Sequence, residues 1–234
     1  MLFALISPGT VTAGGAWLHA PDGFLSVGVA AVMWAVSLVV LGIAVARTNR
    51  TLDERMIPLM GVSAAFVFAA QMFNFQVIGG TSGHLLGGVF AAVLLGPWPA
   101  TLVMACVVAV QGLVFQDGGL VVMGANIFNM GVIGTLGGYA IYKAIATALG
   151  GEERGRLPAA GIAAWCSVVL AAVAISLELA ISGTTPLAVT LPTMVGVHVL
   201  IGIGEAVITV AALAFIGATR KYLFALKDSR PVTA

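Results

Sequence analysis

Long apolar stretches alternate with short polar stretches along most of the chain. A helix that crosses a hydrocarbon core of about 30 Å needs roughly 20 residues. The apolar stretches predict five such spans, near residues 26–46, 57–73, 123–142, 158–182 and 193–218. The spacing of these stretches indicates a polytopic helical protein.

The apolar segment 84–115 has a break in its middle. Gly96-Pro97-Trp98-Pro99 places two prolines close together, and proline in a helix interior removes a hydrogen bond and clashes with the preceding turn. We therefore predict two shorter helices, 84–96 and 100–115, as the third and fourth spans. The first of the two is too short to cross the membrane unless it tilts or is supported by the flanking loop.

Composition agrees with the pattern. Of the 234 residues, 60% are hydrophobic and only 8% are charged, and the mean hydropathy is +1.11. Soluble domains carry roughly a quarter charged residues, so this is an integral membrane protein. Cys106 and Cys166 lie in apolar stretches, where cysteine is a small packing residue rather than part of a disulfide framework or a metal pair.

Basic residues predict the orientation. All ten lie in two loops and the C-terminal tail: Arg47, Arg50 and Arg55; Lys143, Arg154 and Arg156; Arg220, Lys221, Lys227 and Arg230. Short loops rich in Lys and Arg stay in the cytoplasm. The N-terminus is then outside and the C-terminus cytoplasmic, which requires an odd number of crossings. The predicted fold is all-α, a bundle of about seven transmembrane helices.

Ionisable residues inside the spans lie in the outer half of this predicted bundle. They are Glu178, His198 and Glu205, and His198 and Glu205 share a helix face because they are seven residues apart. Such groups usually face a bundle interior or a cavity, so the pattern is typical of a binding site loaded from outside. Hydrogen bonds between helices are the alternative role for each of them.

Other polar positions have equally simple alternatives. Asp117, with Gly118 and Gly119, forms either part of an outer site or a plain loop turn. Gln111, Asn126 and Asn129 are best explained as packing and capping residues.

Histidines are the candidate metal ligands. His19 stands before a Pro21-Asp22-Gly23 turn and His84 stands among glycines, both on the predicted outer face. Imidazole suits nickel, copper, zinc and cobalt. No HExxH, GxSxG or P-loop motif is present, so nothing indicates a hydrolase or an ATPase. The alternative is that each histidine is an ordinary hydrogen-bonding residue.

Four stretches carry a family resemblance. They are HAPDGFL at 19–25, GGTSGHLLGGVFAAVLLGP at 79–97, QGLVFQDGGLVVMGANIFNM at 111–130 and MVGVHVLIGIGEAVI at 194–208. In this order they resemble the nickel and cobalt substrate-capture subunits of energy-coupling-factor transporters, the cobalamin-biosynthesis permeases. Together these stretches cover most of the chain from Leu18 to Phe215, and the GGTSGHLLGG form is similar to the nickel-type branch.

The resemblance implies a mechanism and a set of ligands. Such a subunit captures the ion outside and works with a transmembrane coupling subunit, cytoplasmic ATPases and a small accessory membrane subunit. The family site is square-planar, and its ligands match the amine of Leu18 as mature N-terminal residue, the amide and imidazole of His19, and His84. Square-planar nitrogen ligands favour Ni(II) or Cu(II). No cofactor is expected beyond the transported Ni²⁺ or Co²⁺.

Asp22 and Glu178 would then orient ligand atoms or loops around the ion. The chain divides into an N-terminal extension 1–17, a metal-capture domain 18–220 and a cytoplasmic tail 221–234.

The extension raises a question because Leu18 has a free amine only if nothing precedes it. Three explanations are open. The protein starts at Leu18, with methionine as initiator; or the segment is cleaved, although it lacks the basic n-region of a signal peptide; or it stays and the site uses side chains alone.

Three other functions remain as alternatives. An intramembrane metalloenzyme would use His84, His198 and Glu205. A structural membrane subunit would bind no metal. A vitamin-capture subunit of the same transporter class is the third alternative, and the His-headed N-terminus argues against it.

Overall fold

The structure, a computed structural model, describes residues 19–72, 74–77 and 81–227. It is a helical bundle with one small antiparallel hairpin. The elements, in chain order, are α1 Val27–Thr51, α2 Met56–Gln71, β1 Asn74–Val77, β2 Thr81–His84, α3 Gly88–Leu95, α4 Pro97–Val114, α5 Met123–Ile127, a π-helix Phe128–Gly137, α6 Gly138–Ala148, α7 Glu152–Ile181, α8 Leu187–Thr219 and α9 Leu223–Leu226. The predicted helical membrane fold is confirmed.

Among the described residues, four helices are long and apolar enough to cross a membrane: α1, α4, α7 and α8. Helix α2 is apolar but has 16 residues, and α5, the π-helix and α6 follow one another without a gap from 123 to 148. The number of crossings and the side of each terminus stay predictions.

The predicted break at Gly96-Pro97-Trp98-Pro99 is confirmed, but it is confined to Gly96, and the second helix begins at Pro97 rather than at residue 100. Gly96 has a φ of +85° and ends α3, and Pro97 begins α4, a position that proline suits because its missing N–H is not needed there. The predicted helix 84–96 is corrected, however. Helix α3 begins at Gly88 and has eight residues, about 12 Å of helix, so it cannot cross the bilayer alone. All eight residues are buried, so α3 lies inside the bundle.

The segment between α2 and α3 also differs from a plain loop. Strands β1 and β2 pair antiparallel, with Asn74 opposite His84. Residues 85–87 have no regular secondary structure, and Gly87, with a φ of +76°, caps α3. This turn explains why the helix starts four residues later than predicted.

Small residues let the helices approach closely. Ala159, Ala160, Ala163 and Ala164 on α7 are fully buried, and the indole N–H of Trp165 donates to the carbonyl of Val199 on α8 at 3.1 Å. Close packing through small residues is typical of membrane bundles, where apolar contact with lipid gives no advantage over contact with protein. The long helices α7 and α8 thereby pack against each other, and both contact α3.

The described part of the predicted cytoplasmic tail packs back on the bundle. Phe224 on α9 is buried, and the Lys227 ammonium donates to Glu152 at 3.0 Å and to the carbonyl of Val93 at 3.4 Å. A cation near the last carbonyls of a helix is favourable, so Lys227 stabilises the C-terminal end of α3.

Candidate metal site

His19 and His84 come together although they are far apart in sequence. Their ring centroids are 4.9 Å apart with an interplanar angle of 59°. His19 is 5% exposed. The first described residue of the chain therefore lies inside the bundle, against the residue that ends β2.

Asp22 holds the N-terminal segment in this position. Its carboxylate accepts hydrogen bonds from the backbone N–H groups of Leu120, Val121 and Val122, at 3.1, 2.8 and 3.3 Å. Gly119 lies so close that a Cβ there would collide with Asp22. The Pro21-Asp22-Gly23 turn thus clamps the segment to the loop before α5.

A second set of bonds fixes Ala20, the residue after His19. The Asn126 side chain accepts from the Ala20 N–H at 3.3 Å and donates to the Ala20 carbonyl at 3.2 Å. The Gly119 N–H donates to the same carbonyl at 3.0 Å. Asn126 was expected to be a packing or capping residue, and in the structure it holds the segment that carries His19.

The two ring nitrogens of His19 face different groups. Nδ1 lies 3.5 Å from a carboxylate oxygen of Asp117, which is too far for a good hydrogen bond. Nε2 lies 3.1 Å from Sδ of Met130. Two residues therefore flank the His19 ring: Asp117, for which the sequence left an outer site and a loop turn open, and Met130, which was not predicted.

His84 is held in one tautomer. Its Nδ1 lies 2.7 Å from the carbonyl oxygen of Leu85, and since a carbonyl only accepts, Nδ1 carries the proton. Burial, and to a smaller extent neighbouring His19, lower the pKa of His84 to about 3, although the Leu85 carbonyl and Asp117 act in the opposite direction. His84 is thus neutral at physiological pH, with the lone pair on Nε2 available to a metal ion.

Polar side chains from two helices support the residues after His84. Glu205 on α8 accepts from the N–H groups of Leu86 and Gly87 at 2.9 and 2.7 Å. Gln71 on α2 donates to the carbonyl of Leu86 at 2.8 Å. Glu205 therefore acts here as a hydrogen-bonding group between elements, and it fixes the turn that follows the second candidate ligand.

Glu178 and His198 form hydrogen bonds with residues other than His19 and His84. Glu178 accepts a hydrogen bond from the Asn129 amide at 3.0 Å. His198 bonds through Nδ1 to the carbonyl of Met194 on its own helix, and a Cβ on Gly83 would lie 3.2 Å from its Nε2. Leu18 lies outside the described residues.

Within the described residues, no cluster of three or more His, Cys, Asp or Glu side chains could hold a metal ion. The structure brings together two imidazoles, those of His19 and His84. Such a site suits a transition metal that accepts nitrogen ligands. Met130 was missed because a thioether in an apolar stretch is normally a core residue.

Comparison with known proteins points in the same direction. The family model described as the cobalt uptake substrate-specific transmembrane region matches residues 19–223. A putative fused nickel transport protein, NikMN, of Archaeoglobus fulgidus is 40% identical over 205 residues, which cover 87% of this chain and 66% of that protein. The chain thus spans slightly less than two thirds of that relative.

Two further matches cover nearly the whole of the related chain. A putative metal transport protein of Haloquadratum walsbyi is 40% identical over 87% of this chain and 91% of its own length. The crystal structure of a truncated transition metal transporter superposes with a TM-score of 0.79 at 33% identity, and covers 85% of this chain and 97% of that one.

Proposed function

Because this chain belongs to the cobalt uptake substrate-specific transmembrane region family, we propose that it captures a nickel or cobalt ion outside the cell for import. It is a multi-pass protein of the prokaryotic cytoplasmic membrane. Family membership makes it a transport protein rather than an intramembrane metalloenzyme. The ion is therefore cargo and not a resident cofactor.

The pairing of His19 with His84 carries this proposal. Two imidazoles 4.9 Å apart, one of them with its free lone pair assigned by a hydrogen bond, are suited to share one metal ion. The clamp formed by Asp22 and Asn126 supports the proposal, since it holds His19 at the site without using the His19 ring.

Backbone nitrogens complete the proposed ligand set. With Leu18 as the N-terminal residue, its amine, the deprotonated amide of His19 and the imidazole Nδ1 of His19 form two fused chelate rings. His84 supplies Nε2 as the fourth ligand. Four nitrogens in a plane favour Ni(II) or Cu(II) over Zn(II) and Mg(II), so of nickel and cobalt this set suits nickel better.

Asp117 has a role in the charge balance of this site. A divalent ion with one deprotonated amide leaves a net charge of +1, because the amine and both imidazoles are neutral. A lone buried charge is strongly unfavourable unless it is compensated. The Asp117 carboxylate, 3.5 Å from Nδ1 of His19, compensates that charge.

The proposed partners follow from the transporter class. We expect a transmembrane coupling subunit and cytoplasmic ATPase subunits to drive release of the ion, with a small accessory membrane subunit beside this chain. Co-purification from cells that express the neighbouring genes together would identify these partners.

Two versions of the protein test the capture site. One starts at Met1, and the other starts at position 18 with Leu18→Met. Each is purified in detergent and titrated separately with Ni²⁺ and Co²⁺ by calorimetry, together with His19→Ala and His84→Ala variants. We expect tight binding of one ion per chain in the shorter version, and at least a 100-fold loss in each variant.

Other results would change the proposal in distinct ways. Equal binding by both versions would mean processing or a site of side chains alone, and the intact mass of the purified chain separates the two. Variants that bind like the parent protein would remove His19 and His84 from the ligand set. No binding by either version would overturn the capture function.

A further inference from the structure

We propose that Met130 is a positioning residue that selects which ring nitrogen of His19 faces the metal ion. Its thioether accepts the Nε2–H of His19, which leaves the lone pair on Nδ1. This inference rests on the proposed function, because it concerns the same site. It adds a residue that touches a ligand without binding the ion.

The contact between the two side chains is close and buried. Sδ of Met130 lies 3.1 Å from Nε2 of His19, and the two residues are 4% and 5% exposed. A buried N–H requires an acceptor, and Met130 is the hydrogen-bond partner of Nε2 among the described residues. Without a proton between them, nitrogen and sulfur at this distance would repel.

The tautomer matters because only one nitrogen can close the chelate ring. A neutral imidazole has one N–H and one lone pair. Nδ1 is separated from the His19 amide nitrogen by Cα, Cβ and Cγ, so a metal ion bound to both closes a six-membered ring. Nε2 lies on the far side of the imidazole and cannot close such a ring. A proton on Nε2 therefore prepares His19 for capture.

The π-helix sets the position of Met130. The hydroxyl of Thr135, five residues later, donates to the Met130 carbonyl at 3.0 Å, within the wide turn of this helix type. π-Helical segments inside α-helices are frequently found at functional sites. Here the π-helix fixes the Met130 backbone. The Met130 side chain contacts His19 in the N-terminal segment.

A thioether is well suited to this task. It is a weak and uncharged acceptor, so it orients the ring without drawing a second proton onto it. A carboxylate in the same place would favour the imidazolium ion, which cannot bind a metal. The Asp117 carboxylate lies on the Nδ1 side and favours a proton there, but at 3.5 Å from Nδ1 it makes no good hydrogen bond, whereas the Met130 sulfur is 3.1 Å from Nε2.

Sulfur as a direct ligand is the competing explanation. Metal bonds of about 2.0 Å to nitrogen and 2.3 Å to sulfur, at a right angle, also separate the two atoms by about 3.1 Å. Nε2 and Sδ would then bind one ion together. X-ray absorption of the nickel-loaded protein distinguishes the two explanations, because sulfur and nitrogen scatter differently.

The test uses Met130→Leu, which keeps the volume but removes the acceptor, and Met130→Gln, which restores an acceptor oxygen. Met104→Leu is the matched control, since Met104 is fully buried in the hydrophobic core. For Met130→Leu we expect the Kd for Ni²⁺ to rise about 10- to 100-fold, the usual effect of losing a group that orients a ligand. Met130→Gln should recover most of that loss.

The tautomer is measured directly by ¹⁵N NMR of the metal-free protein labelled at its three histidines. The parent protein should show His19 protonated on Nε2, and Met130→Leu should lose that preference. If the tautomer is unchanged in Met130→Leu, or if sulfur is found at bonding distance to nickel, Met130 is not a positioning residue. The NMR result decides this even if the protein binds no nickel, so the two proposals can fail separately.

Discussion

Glu205 accepts a hydrogen bond of 2.7 Å from the backbone N–H of Gly87, a residue 118 positions earlier in the chain. Its other oxygen accepts from the N–H of Leu86 at 2.9 Å. Gly87 caps α3 in a left-handed conformation, and these N–H groups have no partner in the helix itself. A side chain of α8 thus fixes both the turn behind His84 and the start of α3.

Replacing Glu205 should therefore weaken both stability and metal capture. In Glu205→Gln one acceptor oxygen becomes an NH₂ group that faces a backbone N–H, and a buried unsatisfied donor costs about 1–3 kcal/mol. We expect a lower midpoint of thermal unfolding in detergent and weaker nickel binding, because His84 directly precedes the loosened turn. Unfolding followed by tryptophan fluorescence and a nickel titration measure the two effects.

Glu178→Gln is the matched control on the neighbouring helix α7. Glu178 is also buried, but only one of its oxygens accepts a hydrogen bond, from Asn129. Glutamine can keep that bond through its own oxygen. The decrease in the unfolding midpoint should therefore be clearly smaller for Glu178→Gln than for Glu205→Gln. Equal unfolding midpoints for Glu205→Gln and the parent protein would contradict the role assigned to Glu205.

Asp22 offers a graded test of the N-terminal clamp. One oxygen accepts from Val121 and Val122, and the other accepts from Leu120. Each bond contributes about 0.5–1.5 kcal/mol, and Asp22 is exposed, so the lower values apply. We expect Asp22→Ala to raise the Kd for nickel about 10-fold, and Asp22→Asn to have an intermediate effect because it keeps one acceptor oxygen.

The control for this series is Asp53→Asn in the loop between α1 and α2. Its carboxylate accepts from the N–H of Arg55, and it lies at the opposite end of α1 from Asp22. The Asp53→Asn protein should bind nickel with the affinity of the parent protein. The clamp would be unnecessary for capture if Asp22→Ala also bound nickel as the parent does.

Much of the helical architecture follows from residue patterns that act locally. The apolar stretches predict the long helices because burial in lipid depends on composition and length. Gly96-Pro97 interrupts the helix through the backbone geometry of these two residues alone. The hairpin, the short α3 and the π-helix do not follow in this way. They depend on contacts between elements, such as that of Glu205 with the residues before α3.

The same distinction between local patterns and contacts between elements applies to the candidate site. Histidines and carboxylates stand out in an apolar sequence, which is why His19, His84, Asp22 and Asp117 could be singled out. Their partners could not be, because backbone N–H groups occur at every position and Met130 resembles any core methionine. The sequence also left open whether Glu205 is a ligand or a hydrogen-bonding residue, a choice that depends on the position of α8 relative to α3.

The low pKa of His84 predicts a pH dependence of stability in the metal-free protein. Its folded pKa of about 3 lies below the ordinary value of 6.5, so between these values the unfolded chain binds more protons than the folded one. Stability is then fully present above about pH 6.5 and is lost as the pH falls. The upper limit for one such group is about 1.4 kcal/mol per pH unit, and partial exposure of His84 reduces it.

Chemical unfolding in detergent between pH 7 and pH 5 measures this slope. His84→Gln removes the titrating ring and keeps a polar side chain, so its stability should change less over the same interval. Parallel slopes for the parent protein and His84→Gln would show that His84 is not kept neutral by its surroundings.

Gly83 tests how tightly the strand that carries His84 packs against α8. A Cβ at this position would lie 3.2 Å from Nε2 and Cε1 of His198, and closer still to Cδ1 of Ile201. Gly83→Ala should therefore displace β2, move His84 away from His19 and raise the Kd for nickel. Because the closest obstacle is the end of a flexible side chain, Ile201→Val in the same chain should relieve the collision and recover part of the affinity. A Gly83→Ala protein with the parent's nickel affinity would mean that β2 can shift without moving the His84 ring, and the proposed dependence of capture on α8 would then rest on Glu205 alone.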